Sequence, residues 1–291
     1  MRRTMLFLPG NNPNMVMNGG VLGADSIIFD LEDAVAPDQK DAARELVRCA
    51  LEMLDFGGCE IIVRINALDT PYWKEDLEAM IPLKPDVIMP TKVSGAEYIH
   101  ELEAKMAEEE EKNGIEIGRT RIIPLLETTL GIENAFEIAR STKRMAALYL
   151  GAEDLTADLR CRRTKEGNEI AYARGRLVCA ARAAGIDAYD TPFTDVEDLA
   201  GLKKDAELAR GLGYTGKAVI SPRHVDIVNA VFSPSKEDVA YARDVFAAME
   251  EAKEQGKGAV SLRGKMIDAP IVERARQVLE AAAQIGGMLD E

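Results

Sequence analysis

Histidine is scarce in this chain of 291 residues, which contains only His100 and His224. His100 lies in the helical pattern "AEYIHELEAKMAEEEEK", and an amphipathic helix is a poor place for a converging site. Imidazole is the most frequent general base and a common zinc ligand. We therefore expect any proton transfer or metal binding to depend on carboxylates.

Paired cysteines are also missing. The chain has four cysteines, and none of them forms a short motif such as CxxC. This spacing argues against a disulfide framework or a cysteine metal site and predicts reduced structural thiols.

Positive charge is in deficit, because 36 Lys and Arg face 50 Asp and Glu and give a net charge of -14. A nucleic-acid or anionic-membrane surface needs a basic patch, so neither partner is predicted. The start "MRRTMLFLPGNN" has too short an apolar run for a signal peptide, and no later segment approaches a membrane span. These features predict a cytoplasmic protein.

What the chain does have is a regular alternation of apolar runs and amphipathic patterns. Eight runs are predicted as strands: "TMLFLPG", "SIIFDLED", "EIIVRINA", "DVIMPTKV", "RIIPLLET", "AALYLGAED", "IDAYDTPF" and "GKAVISP". Helices are predicted over 39–55, 94–113, 131–142, 168–185 and 195–212, and Gly185 and Gly213 are predicted to end the last two. Eight such repeats favour an α/β fold of the TIM (β/α)₈ barrel type over a doubly wound sheet.

The residues after the last strand follow a different pattern. We predict a barrel domain over 1–234 and a C-terminal helical extension over 235–291. The extension starts with a helix capped near Ser235, breaks at Gly256 and Gly258 into "AVSLRGKMIDAP", and resumes as "IVERARQVLEAAAQI". A hinged polar insertion of this kind is typical of a lid or an intersubunit arm. The run "EAKMAEEEEKNG" is predicted to be a solvated helix end and a turn.

Charged residues stand at the ends of most predicted strands, where barrel enzymes place their chemistry. They are Asp30, Glu32 and Asp33 on the second strand, Arg64 on the third, Lys92 on the fourth, Glu127 on the fifth, and Glu153, Asp154 and Asp158 on the sixth. Single strand-end acids also cap helices, and that alternative stays open for Glu127, Glu153 and Asp158. Several acids on one face favour function.

Glu127 and Asp154 end adjacent strands, so both could reach one hard cation. With almost no histidine, Mg²⁺ is favoured over zinc. Arg64, within "IIVRINA", either forms a structural bridge to Glu32 or Asp33 or recognises a substrate carboxylate, and we favour the second. Glu32 and Asp33 are predicted to order metal-bound water or to brace Arg64.

Seven segments together resemble the beta subunits of citrate lyase, within the wider HpcH/HpaI aldolase and citrate lyase-like family. They are "RRTMLFLPG", "IIFDLEDAVAPDQKDAAR", "VRINALD", "LLETTLGIENAFEIA", "LGAEDLTADLR", "KAVISPRHVDIVN" and "GKMIDAPIVERARQVL". One departure is "MPTK", where relatives commonly read Pro-Lys. The resemblance implies a TIM barrel with a C-terminal helical extension, assembled as a homotrimer or a multiple of it.

The implied reaction is Mg²⁺-dependent cleavage of a citryl thioester to oxaloacetate and an acetyl thioester. By the family pattern, Glu127 and Asp154 hold the metal, Arg64 binds substrate, and Asp268 in "GKMIDAP" is the acid that protonates the acetyl fragment. From the residues alone, Asp268 would be read as a helix cap before Pro270. Arg3 and Lys92 are assigned to the anionic arm of the thioester carrier.

The thioester carrier would be coenzyme A or the CoA-like group of an acyl carrier protein. The implied partners are the acyl carrier (gamma) and alpha subunits of citrate lyase. Three alternatives remain: a malyl-CoA or methylmalyl-CoA type lyase with the same metal and arginine motifs, a non-catalytic barrel scaffold, and a barrel that binds phosphoenolpyruvate-like ligands.

Overall fold

The structure is a computed structural model that describes residues 2–254 and 260–289. It divides into two compact units, Arg2–Asn229 and a unit that begins at Ala230, and each is described by itself. The division falls inside a helix, a few residues before the boundary after residue 234 that we predicted.

The strands are β1 (Thr4–Pro9), β2 (Ser26–Asp30), β3 (Glu60–Arg64), β4 (Val87–Met89), β5 (Arg121–Ile122), β6 (Leu125–Leu126), β7 (Ala147–Leu150), β8 (Asp187–Asp190), β9 (Gly216–Val219), β10 (Val260–Leu262) and β11 (Lys265–Ile267). The helices are α1 (Pro13–Asn18), α2 (Lys40–Met53), α3 (Trp73–Met80), α4 (Ala96–Lys112), α5 (Thr129–Glu133), α6 (Ala135–Ala139), α7 (Ala152–Asp158), α8 (Ala171–Ala183), α9 (Leu199–Leu212), α10 (Pro222–Phe232), α11 (Lys236–Glu254) and α12 (Ala269–Leu289).

All eight predicted strands are present in the first unit. The helix predicted over 131–142 is two short helices, α5 and α6, divided at Asn134. The other four predicted helices are confirmed, with bounds that differ by a few residues. Gly185 and Gly213 have positive φ just after α8 and α9, as predicted for residues that end helices.

The parallel sheet closes on itself through the segment that contains Pro124. The strand order runs β5-β4-β3-β2-β1-β9-β8-β7-β6, and its two edges, β5 and β6, belong to one stretch of chain. This stretch bonds to both neighbours: Ile123 N donates to Ile88 O at 3.1 Å, and Tyr149 N donates to Pro124 O at 3.1 Å. The proline, which lacks an N–H, divides the strand without opening the barrel. The TIM-barrel prediction is confirmed.

The barrel interior is packed by side chains from β1–β4 and β6–β9 and by Ile123, which lies between β5 and β6. This core consists of Met5, Ile28, Ile62, Val87, Met89, Ile123, Leu125, Ala147, Tyr149, Tyr189 and Ala218. Strands β2, β4, β7 and β9 are buried at every position, because helices cover the outer face of a parallel barrel. The filled interior leaves the open mouth, at the carboxyl ends of the strands, as the place for a site.

The second unit has its own small core and contains an element that we did not predict. Helices α11 and α12 pack around Ala242, Val245, Ile267 and Ala275. Ser235 caps α11, because its Oγ accepts from Asp238 N at 3.0 Å.

The polar insertion of the second unit contains a β-hairpin, with β10 and β11 antiparallel. Its turn, Arg263-Gly264, has positive φ at both residues, as a two-residue hairpin requires. The usual Asn-Gly signal is missing, so the sequence did not reveal the hairpin. The predicted breaks at Gly256 and Gly258 lie outside the described residues. No helix in the described part of the chain is both long and apolar enough to cross a membrane.

The acidic run at the end of α4 is a helix end followed by a turn, as predicted, but it is solvated only in part, because Glu109 and Glu110 are buried. Glu110 has 0% exposure, and its two oxygens accept from Nη1 and Nη2 of Arg144 at 2.8 and 2.5 Å. They also accept from the backbone of Gly118 and Thr120. Burial alone would raise the pKa of Glu110, but these four donors hold it below its ordinary value. A buried arginine 34 residues away in sequence gave no local signal.

Replacing Glu110 by alanine would leave Arg144, itself 4% exposed, with only the half-buried Glu103, 3.3 Å from its Nε, as an acidic partner. We expect the free energy of unfolding to fall by about 3 kcal/mol. Urea denaturation measures this value. Glu111→Ala is the matched control, because Glu111 is the next residue and is exposed. Equal losses in the two variants would contradict a structural role for the Glu110–Arg144 pair.

Candidate active site

A cavity of about 460 Å³ opens at the carboxyl ends of the barrel strands. Its lining includes Arg64, Glu127 and Asp154 from the predicted site, together with Phe7 and Tyr149 from the barrel interior. Ligand sites of this size are typical for small molecules. The structure therefore brings the two predicted metal ligands and the predicted substrate arginine to one cavity.

Glu127 follows β6 and is 4% exposed. Its Oε1 accepts a hydrogen bond from Lys92 N at 2.8 Å. Helix α5 is capped by the next residue, since Thr128 Oγ1 accepts from Gly131 N at 3.0 Å. The capping alternative therefore does not apply to Glu127, whose carboxyl remains directed to the cavity.

The surroundings of Glu127 raise its pKa to about 8. Burial is the main cause, and the negative charges of Asp154 and Glu32 add to it. The Lys92 N–H and the positive charge of Arg64 act in the opposite direction without cancelling them. A ligand-free site at neutral pH thus holds Glu127 mostly as a neutral carboxylic acid.

Gly151 lets β7 pass directly beside Glu127. A Cβ at position 151 would lie 2.7 Å from Glu127 Cβ and 2.8 Å from Glu127 Oε2. No other residue type fits this approach without moving the carboxyl. Gly151 also precedes α7, whose first turn carries Glu153 and Asp154.

Thr191 and Lys217 fix the start of α7, on which Asp154 lies. Thr191 Oγ1 accepts from Ala152 N at 3.1 Å, and the Thr191 carbonyl accepts from Lys217 Nζ at 2.6 Å. Lys217 is fully buried and also bonds Asp190 and Asp205 at 2.6 Å each. A buried charge cluster outside the barrel thereby orients a helix at its mouth.

Lys92 links the carboxylates of the site. Its φ of 54° is unusual for a residue with a side chain, and its N–H is the donor to Glu127. Its ammonium lies 3.2 Å from Glu32 Oε1 and 3.9 Å from Asp154 Oδ2. Lys92 therefore contacts Glu127 and Asp154, which line the cavity, and whether it receives a carrier arm stays a prediction.

Arg64 is already held by a carboxylate of the protein. Its Nε and Nη2 donate to Asp30 at 2.7 and 2.5 Å, and its Nη1 lies 3.2 Å from Glu32 and 4.0 Å from Asp33. We favoured recognition of a substrate carboxylate over a structural bridge, and the structure shows a bridge, with Asp30 as its main partner. The N–H groups that Asp30 does not use could still bind a substrate carboxylate, so that role stays a prediction.

Glu32 is buried between Arg64 and Lys92, whereas Asp33 is 58% exposed on its side chain. Glu32 contacts Arg64 at 3.2 Å, and its role of bracing the arginine or ordering metal-bound water stays a prediction. Burial raises the pKa of Glu32, and the charge of Arg64 opposes that rise. Asp33 lines the cavity, and at 4.0 Å from Arg64 its exposed carboxylate interacts with the arginine only weakly.

Arg3 does not reach this site, which corrects our assignment of Arg3 to the carrier arm. It precedes β1, and its guanidinium forms a bridge to Asp25 at 2.7 Å, just before β2. Parallel strands place their amino ends together, so both residues lie at the end of the barrel opposite to Glu127. Arg3 lies at the amino end of β1, whereas the cavity opens at the carboxyl ends of the strands.

Asp268 lies in the second unit and begins α12. Its Oδ1 accepts from Ile271 N at 3.3 Å, so it acts as the helix cap that the residues alone had suggested. Among the acids left open as caps, Asp158 instead accepts from Thr129 N and Oγ1 at 2.7 Å and ties α7 to α5. The proton-transfer role of Asp268 stays a prediction.

The residues that sequence reasoning missed are Asp30 as the arginine partner, Gly151, Thr191 and Tyr149. Tyr149 gave a usable signal, because a tyrosine inside the buried run "AALYLGAED" must place its hydroxyl somewhere polar. The others depend on contacts between segments far apart in the chain.

The donor set of the cavity suits a hard divalent cation. No group of three or more His, Cys, Asp or Glu residues arranged to hold a metal occurs in the described ranges 2–254 and 260–289. Glu127 and Asp154 would thus supply two carboxylates, and water and substrate oxygens would complete the shell, as is usual for Mg²⁺. The negative charge of Asp154 adds to the rise in the pKa of Glu127, and a cation bound between the two carboxylates would neutralise their charges.

The raised pKa of Glu127 makes stability depend on pH. Its folded value of about 8 lies above its ordinary value of 4.5, so the stability it contributes is complete below about pH 4.5 and is lost as pH rises through about 8. Glu127→Gln keeps the hydrogen-bond acceptor without the charge. With a chelator present, we expect the variant to exceed the parent protein at pH 9 by on the order of 3 kcal/mol, and to match it near pH 5.

Urea denaturation at both pH values tests this expectation, with Glu137→Gln as the control because Glu137 is an exposed carboxylate on the neighbouring α6. A Glu127→Gln effect that is the same at pH 5 and pH 9 would show that Glu127 is not titrating between them.

Gly151→Ala should displace the Glu127 carboxyl, because the new Cβ would stand within 2.8 Å of it. We expect the affinity for Mg²⁺, measured by calorimetry, to fall by about 10-fold, as for other residues that orient metal ligands. Gly175→Ala in α8 is the matched control, since a Cβ there meets nothing within 4 Å. Undiminished affinity in Gly151→Ala would show that Glu127 does not bind the ion.

Comparison with known proteins agrees with this geometry. Residues 3–222 match the family described as HpcH/HpaI aldolase/citrate lyase. The chain is 46% identical to citrate lyase subunit beta of Leuconostoc mesenteroides subsp. cremoris over 97% of this chain and 93% of that one. It is 35% identical to a (3S)-malyl-CoA thioesterase of Cereibacter sphaeroides over 97% and 95%.

A solved structure supports the fold over nearly its whole length. The CitE protein of Mycobacterium tuberculosis, in complex with magnesium, acetoacetate and coenzyme A, has a TM-score of 0.80 and 31% identity over 97% of this chain and 98% of that one. Family match, near-complete coverage and barrel geometry agree, and the chain is a lyase that belongs to the HpcH/HpaI aldolase/citrate lyase family.

Proposed function

We propose that this protein is a carbon-carbon lyase that cleaves a citryl thioester to oxaloacetate and an acetyl thioester with Mg²⁺, as the beta subunit of a citrate lyase. The observation that carries the proposal is the meeting of Glu127 and Asp154 at one cavity, in a chain 46% identical to a citrate lyase beta subunit. The magnesium and coenzyme A of the related CitE structure support the choice of cation and of a thioester.

Glu127 and Asp154 would hold the ion, and Glu127 must lose its proton to do so. When bound, Mg²⁺ would lower the pKa of the substrate hydroxyl and neutralise the negative charge on its oxygen, which becomes the uncharged keto oxygen as the electron pair of the broken bond passes to the acetyl thioester. Lys92 and Arg64 contribute positive charge at the same mouth, next to Glu32. They would orient the carboxylates of the citryl group and so fix the bond that breaks.

Arg64 is shared between the protein and the substrate. Asp30 accepts one hydrogen bond each from Nε and Nη2, so the second N–H of Nη2 and the N–H groups of Nη1, which also lies 3.2 Å from Glu32, remain for a substrate carboxylate. The bridge to Asp30 keeps the guanidinium rigid, since the Asp30 oxygens also accept from the backbone of Glu32 and Ala34. The arginine therefore offers preorganised donors at little cost in side-chain entropy.

Asp268 is proposed as the acid that delivers a proton to the methylene carbon of the departing acetyl thioester. A carboxyl suits this task when its pKa is tuned towards the working pH. Its place on the second unit, ahead of α12, agrees with a group carried on a separate segment.

We also propose the assembly that these subunits imply: a homotrimer of this chain, with an acyl carrier (gamma) subunit that brings the citryl group and an alpha subunit that loads it. The chain would act in the cytoplasm. The similarity to citrate lyase beta subunits over nearly the full length supports these partners.

The purified chain should release oxaloacetate from (3S)-citryl-CoA only when Mg²⁺ is present, as measured by a coupled assay. In Glu127→Ala we expect the rate to fall on the order of 100-fold, because one of two metal ligands is lost. Glu137→Ala, which removes an exposed carboxylate from α6, should leave the rate unchanged. Oxaloacetate release without a metal would contradict the proposal.

A second candidate is chemistry on malyl thioesters, favoured by the 35% identity to a (3S)-malyl-CoA thioesterase. The same assay with malyl-CoA separates the possibilities. Glyoxylate release indicates a malyl-CoA lyase, whereas free CoA with malate indicates a thioesterase. A parent protein inactive on all free CoA esters should be tested with a citryl-loaded carrier, and inactivity there would favour a scaffold.

A further inference from the structure

One hydroxyl at the floor of the cavity has no partner. Tyr149 lies on β7 with its side chain in the barrel interior, and it is 1% exposed. Its buried hydroxyl makes no hydrogen bond with any described residue, and Tyr149 is one of the residues that line the cavity with Arg64 and Glu127. A buried hydroxyl without a partner costs stability, so its presence calls for an explanation.

Other tyrosines of the barrel unit show what a satisfied hydroxyl looks like. The Tyr98 hydroxyl donates to Thr91 O at 2.8 Å, and that of Tyr214 donates to Arg174 O at 3.2 Å. Tyr189 shares the barrel interior with Tyr149, and its hydroxyl contacts Arg2 and Asp187 at the opposite end of the barrel. Among these four buried or half-buried tyrosines of the barrel unit, Tyr149 alone has a hydroxyl without a protein partner, and it lines the cavity.

The ring of Tyr149 is held firmly. It packs edge-on against Phe7, with ring centroids 6.1 Å apart and an angle of 89° between the planes. Phe7 in turn carries the Arg64 guanidinium over its face at 5.0 Å. Tyr149, Phe7 and Arg64 therefore form a stack in which the hydroxyl has a fixed position without a protein acceptor.

The hydroxyl is available only as a neutral donor. Burial raises the pKa of Tyr149 well above its usual value, and the charges of Asp190 and Glu127 raise it further. An O–H that cannot ionise suits an anionic or carbonyl oxygen as its acceptor.

Arg64 is shared with two protein carboxylates, so a substrate carboxylate gains from a further donor nearby. Asp30 accepts hydrogen bonds from Nε and Nη2, and Nη1 lies 3.2 Å from Glu32, so the remaining N–H groups of Arg64 serve both the protein and a substrate. We propose that the Tyr149 hydroxyl is a substrate-binding group that donates a hydrogen bond to an oxygen of the keto-acid half of the substrate. This inference rests on the proposed function for the identity of the ligand.

Tyr149→Phe removes only the hydroxyl and keeps the ring against Phe7. We expect oxaloacetate, titrated with Mg²⁺ by calorimetry, to bind about 10-fold more weakly, which corresponds to about 1.4 kcal/mol. The melting temperature of the ligand-free variant should stay the same or rise by about 2 °C, because an unpaired buried hydroxyl has been removed.

Tyr189→Phe is the matched control from the same core. Its hydroxyl has protein partners away from the cavity, so the control should lose thermal stability and keep its affinity for oxaloacetate. The opposite responses of the two variants separate a ligand-binding hydroxyl from a structural one.

Pyruvate, titrated in parallel, locates the contact. Weakened binding of oxaloacetate alone places the hydroxyl at the carboxylate that pyruvate lacks, and weakened binding of both ligands places it at the shared keto-acid end. Both results support the inference. Unchanged oxaloacetate affinity in Tyr149→Phe, or a melting temperature lowered as far as in Tyr189→Phe, overturns it while leaving the proposed function intact. Failure of the parent protein to bind oxaloacetate would overturn both.

Discussion

The site depends on the burial of one carboxyl, that of Glu127. The chain places it at the end of the strand that closes the barrel, against the bare backbone of Gly151 and under the N–H of Lys92. Burial and neighbouring acids then raise its pKa to about 8, so the folded protein destabilises the ionised form of Glu127. A bound cation would neutralise the ionised carboxylate. Without a cation, ionisation of Glu127 at high pH lowers the free energy of unfolding, so the site trades stability for its capacity to bind a metal.

Several other charges at the mouth of the barrel are paired with one another. Lys92 stands between Glu32 and Asp154, and Asp30 binds Arg64, so acids and bases are paired before any ligand arrives. Pairing holds these long side chains in fixed positions, so they can orient a ligand well. It also leaves less net positive charge to attract an anion. The unpaired hydroxyl of Tyr149 is the exception to this arrangement.

Much of the fold could be read from the sequence, because strand and helix periods are local properties. Eight buried runs and the helices between them predicted the barrel, and strand ends predicted Glu127 and Asp154 as neighbours. The same reasoning failed where partners are remote. It took Glu110 for a solvated residue, missed Asp30 as the partner of Arg64, and placed Arg3 at the wrong end of the barrel.

The sequence by itself determined the order of strands and helices, the scarcity of histidine that leaves the chemistry to carboxylates, and the family resemblance. Tertiary structure alone decided which charges pair, that Gly151 must be glycine, and that the Tyr149 hydroxyl lacks a partner. The physical reason is distance along the chain. Hydrophobic period acts over a few residues, whereas burial, pKa shifts and hydrogen-bond partners arise only when segments tens of residues apart exclude water between them.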